Sequence, residues 1–134
     1  MNKRVKIVLL GLMIWAITFV AGFIVFVVFG AEAGGPLVEA EWITGIRAFF
    51  LAIGLALGLF LLYRGEGQNY KRTAWEAGIS WYVIILLLNL ISLVGLIGLE
   101  LELWFPLILI DSSVAIIPIV VGYLLAALNE KSSV

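Results

Sequence analysis

The stretch that decides the fold runs from Trp104 to Leu128 and reads WFPLILIDSSVAIIPIVVGYLLAAL. It suits a lipid interior everywhere except at Asp111. A carboxylate inside such a segment costs roughly 2.5 to 3.5 kcal/mol at a bilayer centre on insertion scales, so it faces protein or water and takes a partner. Arg47 is the one basic residue that lies inside another apolar run, which makes it the expected partner.

Around that stretch the whole chain has the same character. Its 134 residues are 64% hydrophobic and only 13% charged, against about 45 to 50% and about 25% in soluble proteins. The length allows a single domain, 1–134. Four apolar runs predict helices over about 7–29, 43–63, 78–99 and 104–128, since each covers or approaches the roughly 20 residues a membrane-spanning helix needs. Spans of this length in lipid are helices, because every backbone group must be paired within the segment. The expected fold class is therefore all-α, a polytopic membrane four-helix bundle.

The first run follows a short basic lead and precedes Ala31-Glu32-Ala33, an arrangement that also opens secretory signals. Its 23 residues, Ile7 to Phe29, exceed the roughly 7 to 15 of a signal core, and a spanning helix is the better reading. Lys3, Arg4, Lys6, Arg64, Lys71, Arg72 and Lys131 fall on one side of the four spans, whereas Glu32, Glu39, Glu41, Glu100 and Glu102 fall on the other. By the positive-inside rule both termini and the central linker are cytoplasmic, in a multi-pass protein of the cell (inner) membrane.

The runs also align with one another. An offset of 67 sets Gly11, Trp15, Thr18 and Gly22 over Gly78, Tyr82, Ile85 and Asn89, and an offset of 64 sets Arg47, Gly54 and Gly58 over Asp111, Pro118 and Gly122. Each set traces one helix face. A parallel duplication of a two-helix unit, with first repeat 7–63 and second repeat 78–128, accounts for both.

The segments GLMIW, LLYRG, GISWYVIILLLNL and IDSSVAIIPIVVGYLL resemble a family of small, uncharacterised prokaryotic four-span membrane proteins. The resemblance covers most of the chain. The late acidic residue, the proline and Gly-Tyr-Leu-Leu are its most specific part. It implies the fold and no activity. Members tend to carry an acidic residue late in the third span, where this chain has Ser92.

The candidate site is built on Arg47 and Asp111, at similar depths near the outer face. A structural ion pair that fixes helix order is one reading, with Arg47 partly snorkelling. A gate or binding site for an ion, proton or small polar solute is another, and a bridge between subunits a third. Tyr82, Asn89 and Ser92 share a face of the third helix. They act as interhelical glue, or else Asn89 and Ser92 form a polar path with Arg47 and Asp111. Gly54 and Gly58 form a GxxxG for close packing, inside the bundle or between protomers. Gly122 lies on the face of Asp111, and Pro118 is the expected kink of the fourth helix.

With no cysteine and no histidine, thiol chemistry, His-based metal sites and Ser-His or Cys-His dyads are excluded. The expectation is a protein that is not an enzyme and has no catalytic residues, no metal and no cofactor. Its partners are the lipid bilayer and a second copy or larger membrane complex. No phosphate loop or nucleic-acid module is present. Two functions fit: a structural or accessory membrane component, or a small oligomeric transporter or channel.

Overall fold

A computed structural model of the protein describes residues 2–30, 40–64, 69–96, 98 and 101–132. The Gly34-Gly35-Pro36 turn, the Ala31-Glu32-Ala33 stretch, Glu32, Glu39 and Glu100 lie outside the described residues. The elements are α1 (Lys3–Gly30), α2 (Ala40–Tyr63), α3 (Tyr70–Asn89) continuing into a π-helical stretch (Leu90–Leu96), a 3₁₀ turn (Leu101–Leu103), α4 (Phe105–Ile110) and α5 (Ser113–Ser132). Among the described residues, four segments, Lys3–Ile24, Gly45–Tyr63, Tyr70–Ser92 and Phe105–Lys131, are long and apolar enough to cross a membrane. The all-α four-helix bundle expected from the sequence is the fold.

Two expected boundaries are corrected. The third helix starts at Tyr70, about two turns before Gly78. The intervening Lys71, Arg72, Ala74, Glu76 and Ala77 are good helix formers, and Arg72 donates to Glu76 one turn on at 3.1 Å. Charge there ends the apolar run without ending the helix. Asn69, at φ 61° and ψ 40°, sets the chain's direction into it. The fourth span is not one helix from 104 to 128. It breaks at Asp111 and Ser112, with Asp111 at φ −89° and ψ 4°, whereas Pro118 lies within an unbroken α5.

Three seams hold the bundle: α1 on α2, α1 on α3 and α3 on α5. Lys6 Nζ donates to the Leu62 carbonyl at 3.4 Å, and Gly54 faces Ile14, so α1 and α2 run antiparallel. Trp81 Nε1 donates to the Ile7 carbonyl at 2.8 Å, and Trp15 reaches Asn89, so α1 and α3 run parallel. Gly78 faces Ala115 and Gly122 faces Ala74, which makes α3 and α5 antiparallel. The fourth seam, α2 with α5, is bridged by side chains at both ends. Arg47 meets Asp111 at one end, and Tyr63 Oη donates to the Pro118 carbonyl at 2.9 Å at the other.

Trp81 is the centre of the core. It is fully buried among Ile7, Leu10, Ile14, Leu55 and Leu62, and the absent side chains of Gly11 and Gly58 make its room. A Cβ at Gly11 would stand 2.9 Å from Trp81 Cδ1, and one at Gly58 would stand 2.8 Å from Ile14 Cδ1 and 3.3 Å from the Trp81 ring. The GxxxG of α2 is thus used inside the bundle, against α1. Outside, the surface is aliphatic and aromatic, with Phe49, Phe60, Leu109 and Leu128 each more than 60% exposed. An apolar exterior around a small polar interior suits a lipid solvent.

Candidate functional site

The break in the fourth span places the Asp111 carboxylate inside the bundle, where it is wholly buried. Arg47, in the second turn of α2, grips it with both guanidinium arms: Nη1 to Oδ1 and Nη2 to Oδ2, each at 3.0 Å. This two-pronged, charge-assisted geometry is the strongest arrangement available to the pair. The Arg47 side chain is 18% exposed, so one flank of the cation reaches the bundle surface while its head is spent on the carboxylate.

Asn89, at the last turn of α3, adds a third donor. Its Nδ2 donates to Asp111 Oδ2 at 3.3 Å, and its Oδ1 accepts from Trp15 Nε1 of α1 at 3.2 Å. The amide has a single sensible orientation, since indole N–H can only donate and an ionised carboxylate can only accept. The chain of bonds therefore runs Trp15, Asn89, Asp111, Arg47, with one residue from each of the four spans. It is fully paired at every link, as buried polar groups in low dielectric require.

No family model matches this chain, and no curated protein or solved structure matches it either. What the centre can do is therefore read from its own chemistry. An ionised carboxylate with about four lone-pair sites takes three hydrogen bonds from protein here, which leaves little of it to offer a ligand. Among the described residues, no three Asp or Glu side chains stand together to hold a metal ion.

The other sequence candidates go elsewhere. Ser92 is buried, but its hydroxyl donates to the Leu88 carbonyl of its own helix at 2.7 Å, the usual refuge of a serine in a helix. Tyr82 Oη donates to the Ile108 carbonyl of α4, and Trp104 Nε1 donates to the Leu86 carbonyl at 2.9 Å. These two bonds tie α4 and its N-cap residue Trp104 to α3. Of the polar path expected through Asn89, Ser92, Arg47 and Asp111, Ser92 therefore takes no part, and Asn89 alone links α3 to the ion pair. Gly122 and Pro118 are both buried, Gly122 against Ala74 of α3.

Trp15 is the member that sequence reasoning missed. Its signal was present: an indole N–H in the middle of an apolar span needs an acceptor, and Asn89 is the one amide within the third run. The contrast between Asn89 and Ser92 yields a prediction. Asn89→Leu strands the Trp15 N–H and removes one donor from Asp111, and it will destabilise the bundle by about 0.6 to 2 kcal/mol. Ser92→Ala will stay within about 0.5 kcal/mol of the parent protein. Unfolding in mixed detergent micelles measures both, and equal losses would contradict the separation drawn here.

Proposed function

We infer that the chain is a non-enzymatic, multi-pass membrane component with a structural or accessory role, in which the buried centre acts as a lock that fixes the order of the four spans. The observation that carries this reading is the enclosed Asp111 carboxylate, whose oxygens are taken by Arg47 and Asn89. A transported ion or solute needs a carboxylate that can exchange protein partners for cargo. A lock needs the reverse.

One observation favours a second reading, a small transporter or channel. Two helix irregularities meet at the centre: the π-helical stretch Leu90–Leu96 follows Asn89 directly, and the fourth span breaks at Asp111. Such features recur at functional sites and in the broken helices of transporters. Proteoliposomes separate the two. On the structural reading, fluxes of protons, sodium and potassium stay at the level of protein-free vesicles for both the parent protein and Asp111→Asn. A flux above that level, lost in Asp111→Asn, would establish the second reading and end the first.

The same reading places both termini and the basic loops in the cytoplasm, in the inner membrane of a prokaryote, with lipid and further protein as partners. The pairing of α1 with α2 and of α3 with α5 supports a duplicated two-helix unit. Partners across α1 and α3, such as Ile7 with Trp81, Gly11 with Trp81 and Trp15 with Asn89, lie 70 to 74 positions apart. The sequence alignment used 67, so the halves of such a duplication have slid by one to two turns.

A further inference from the structure

A groove of about 440 Å³ runs between the start of α1 and the first half of α3, away from the buried centre. Arg4, Glu76 and Ser80 form its polar rim, Ile7, Val8 and Ile79 its aliphatic floor, and Trp75 lines it as well. Glu76 is paired with Arg72 of its own helix, at 3.1 Å, an exposed contact that offsets part of its charge. Among the described residues, the Arg4 guanidinium and the Ser80 hydroxyl have no partner. The rim therefore presents an unspent cation and a free hydroxyl. The floor is aliphatic, with Val8 and Ile79 about half exposed. The Trp75 ring is steadied by its N–H, which donates to Tyr123 Oη at 3.1 Å.

This combination fits one class of molecule. A soluble anion leaves the aliphatic floor uncovered, and a bare acyl chain leaves Arg4 unmatched. A glycerophospholipid supplies a phosphate for the guanidinium, headgroup hydroxyls for Ser80 and a chain for Val8 and Ile79. The groove also opens at the end of the bundle that gathers seven of the eight basic residues, which is where an anionic leaflet is met. We propose that the groove between α1 and α3 is a binding site for one anionic glycerophospholipid, its phosphate on Arg4 and one acyl chain along Ile79.

The test is native mass spectrometry of the full chain in detergent, titrated with dioleoylphosphatidylglycerol and, separately, dioleoylphosphatidylcholine. The parent protein holds one phosphatidylglycerol at least about tenfold more tightly than phosphatidylcholine, because the choline ammonium offsets the phosphate charge that Arg4 would meet and offers no hydroxyl to Ser80. Arg4→Ala reduces that preference to within about twofold, and Arg4→Lys, which keeps the charge, retains most of it. Ile79→Trp fills the groove and abolishes the bound lipid. Lys131→Ala removes a cation from the same end outside the groove and changes nothing. Equal weakening by Arg4→Ala and Lys131→Ala would mean diffuse attraction without a site, and phosphatidylglycerol retained by Ile79→Trp would place it elsewhere; either result overturns the proposal. None of these substitutions touches Arg47 or Asp111, so the outcome is independent of the role proposed for that centre.

Discussion

Asp111→Ala will lower the stability of the bundle by about 3 to 5 kcal/mol, the usual result of removing one partner from a buried ion pair. The loss exceeds that of a neutral interhelical bond, about 0.6 kcal/mol on average in membrane proteins, because a cation is left behind. Arg47 has only a narrow exposed flank and no second acid to turn to among the described residues of the centre. Asn89 loses its acceptor at the same time. The double variant with Arg47→Ala removes the orphaned cation, so it will be more stable than the sum of the two single losses allows. A coupling energy of about 1 to 3 kcal/mol in that cycle is expected. Strictly additive unfolding free energies would show that the two side chains do not act as a pair.

The second large effect is expected at Gly122. A Cβ there would overlap the Ala74 methyl and stand 2.9 Å from both Tyr63 Oη and the Tyr70 carbonyl. Two of those three neighbours cannot swing aside, since one is a methyl on a helix and the other is backbone. Gly122→Ala must therefore push α5 away from α3, at a cost of about 1 to 3 kcal/mol or more. It also disturbs Tyr63, which ties α2 to α5 through the Pro118 carbonyl. Adding Ala74→Gly will restore part of the loss by reopening the contact. Gly22→Ala is the matching control, because nothing lies within 4 Å of the added carbon, and it will be neutral or stabilising by up to about 1 kcal/mol. Thermal unfolding of the three variants in one detergent ranks them, and a Gly122→Ala protein as stable as Gly22→Ala would refute the close seam.

The spans and the ion pair were legible in the sequence for the same reason. In a chain this apolar, the exceptions carry the information: Arg47 and Asp111 are the only charges inside the runs, and each has nowhere else to go. Hydropathy reads where lipid begins, however, and says nothing about where a helix begins. Tyr70 to Ala77 is helical because its residues favour the helix and because Thr73, Ala74 and Ala77 bury against α5 and the core. Similarly, hydropathy predicts one continuous fourth span with Pro118 as its kink. The actual break falls at Asp111, where the backbone turns and the carboxylate points at Arg47 and Asn89. The local mark is the Asp111-Ser112-Ser113 run, of residues that favour turns and helix caps.

The polar residues divide along the same line. Asn89 has an amide with donors and acceptor at once, so it can join two partners across helices, and it does. A serine hydroxyl can satisfy itself on its own helix, and Ser92 does so. A shared helix face gives position, and position alone does not distinguish a side chain that reaches across from one that folds back. The tryptophans are polar anchors as well as apolar bulk. Trp15, Trp81 and Trp104 each donate to an acceptor on another segment.

The distance along the chain between the two charges has a consequence for how the protein is made. Arg47 leaves the ribosome 64 residues ahead of Asp111, which at about 5 to 20 residues per second is an interval of roughly 3 to 13 seconds. The first hairpin must enter the bilayer during that interval with its guanidinium uncompensated, held by Gly54 and Gly58 against Ile14. The newborn protein therefore passes through a half-built state that only its final quarter can neutralise, and a chain arrested before Asp111 would carry a bare charge that quality-control proteases can recognise.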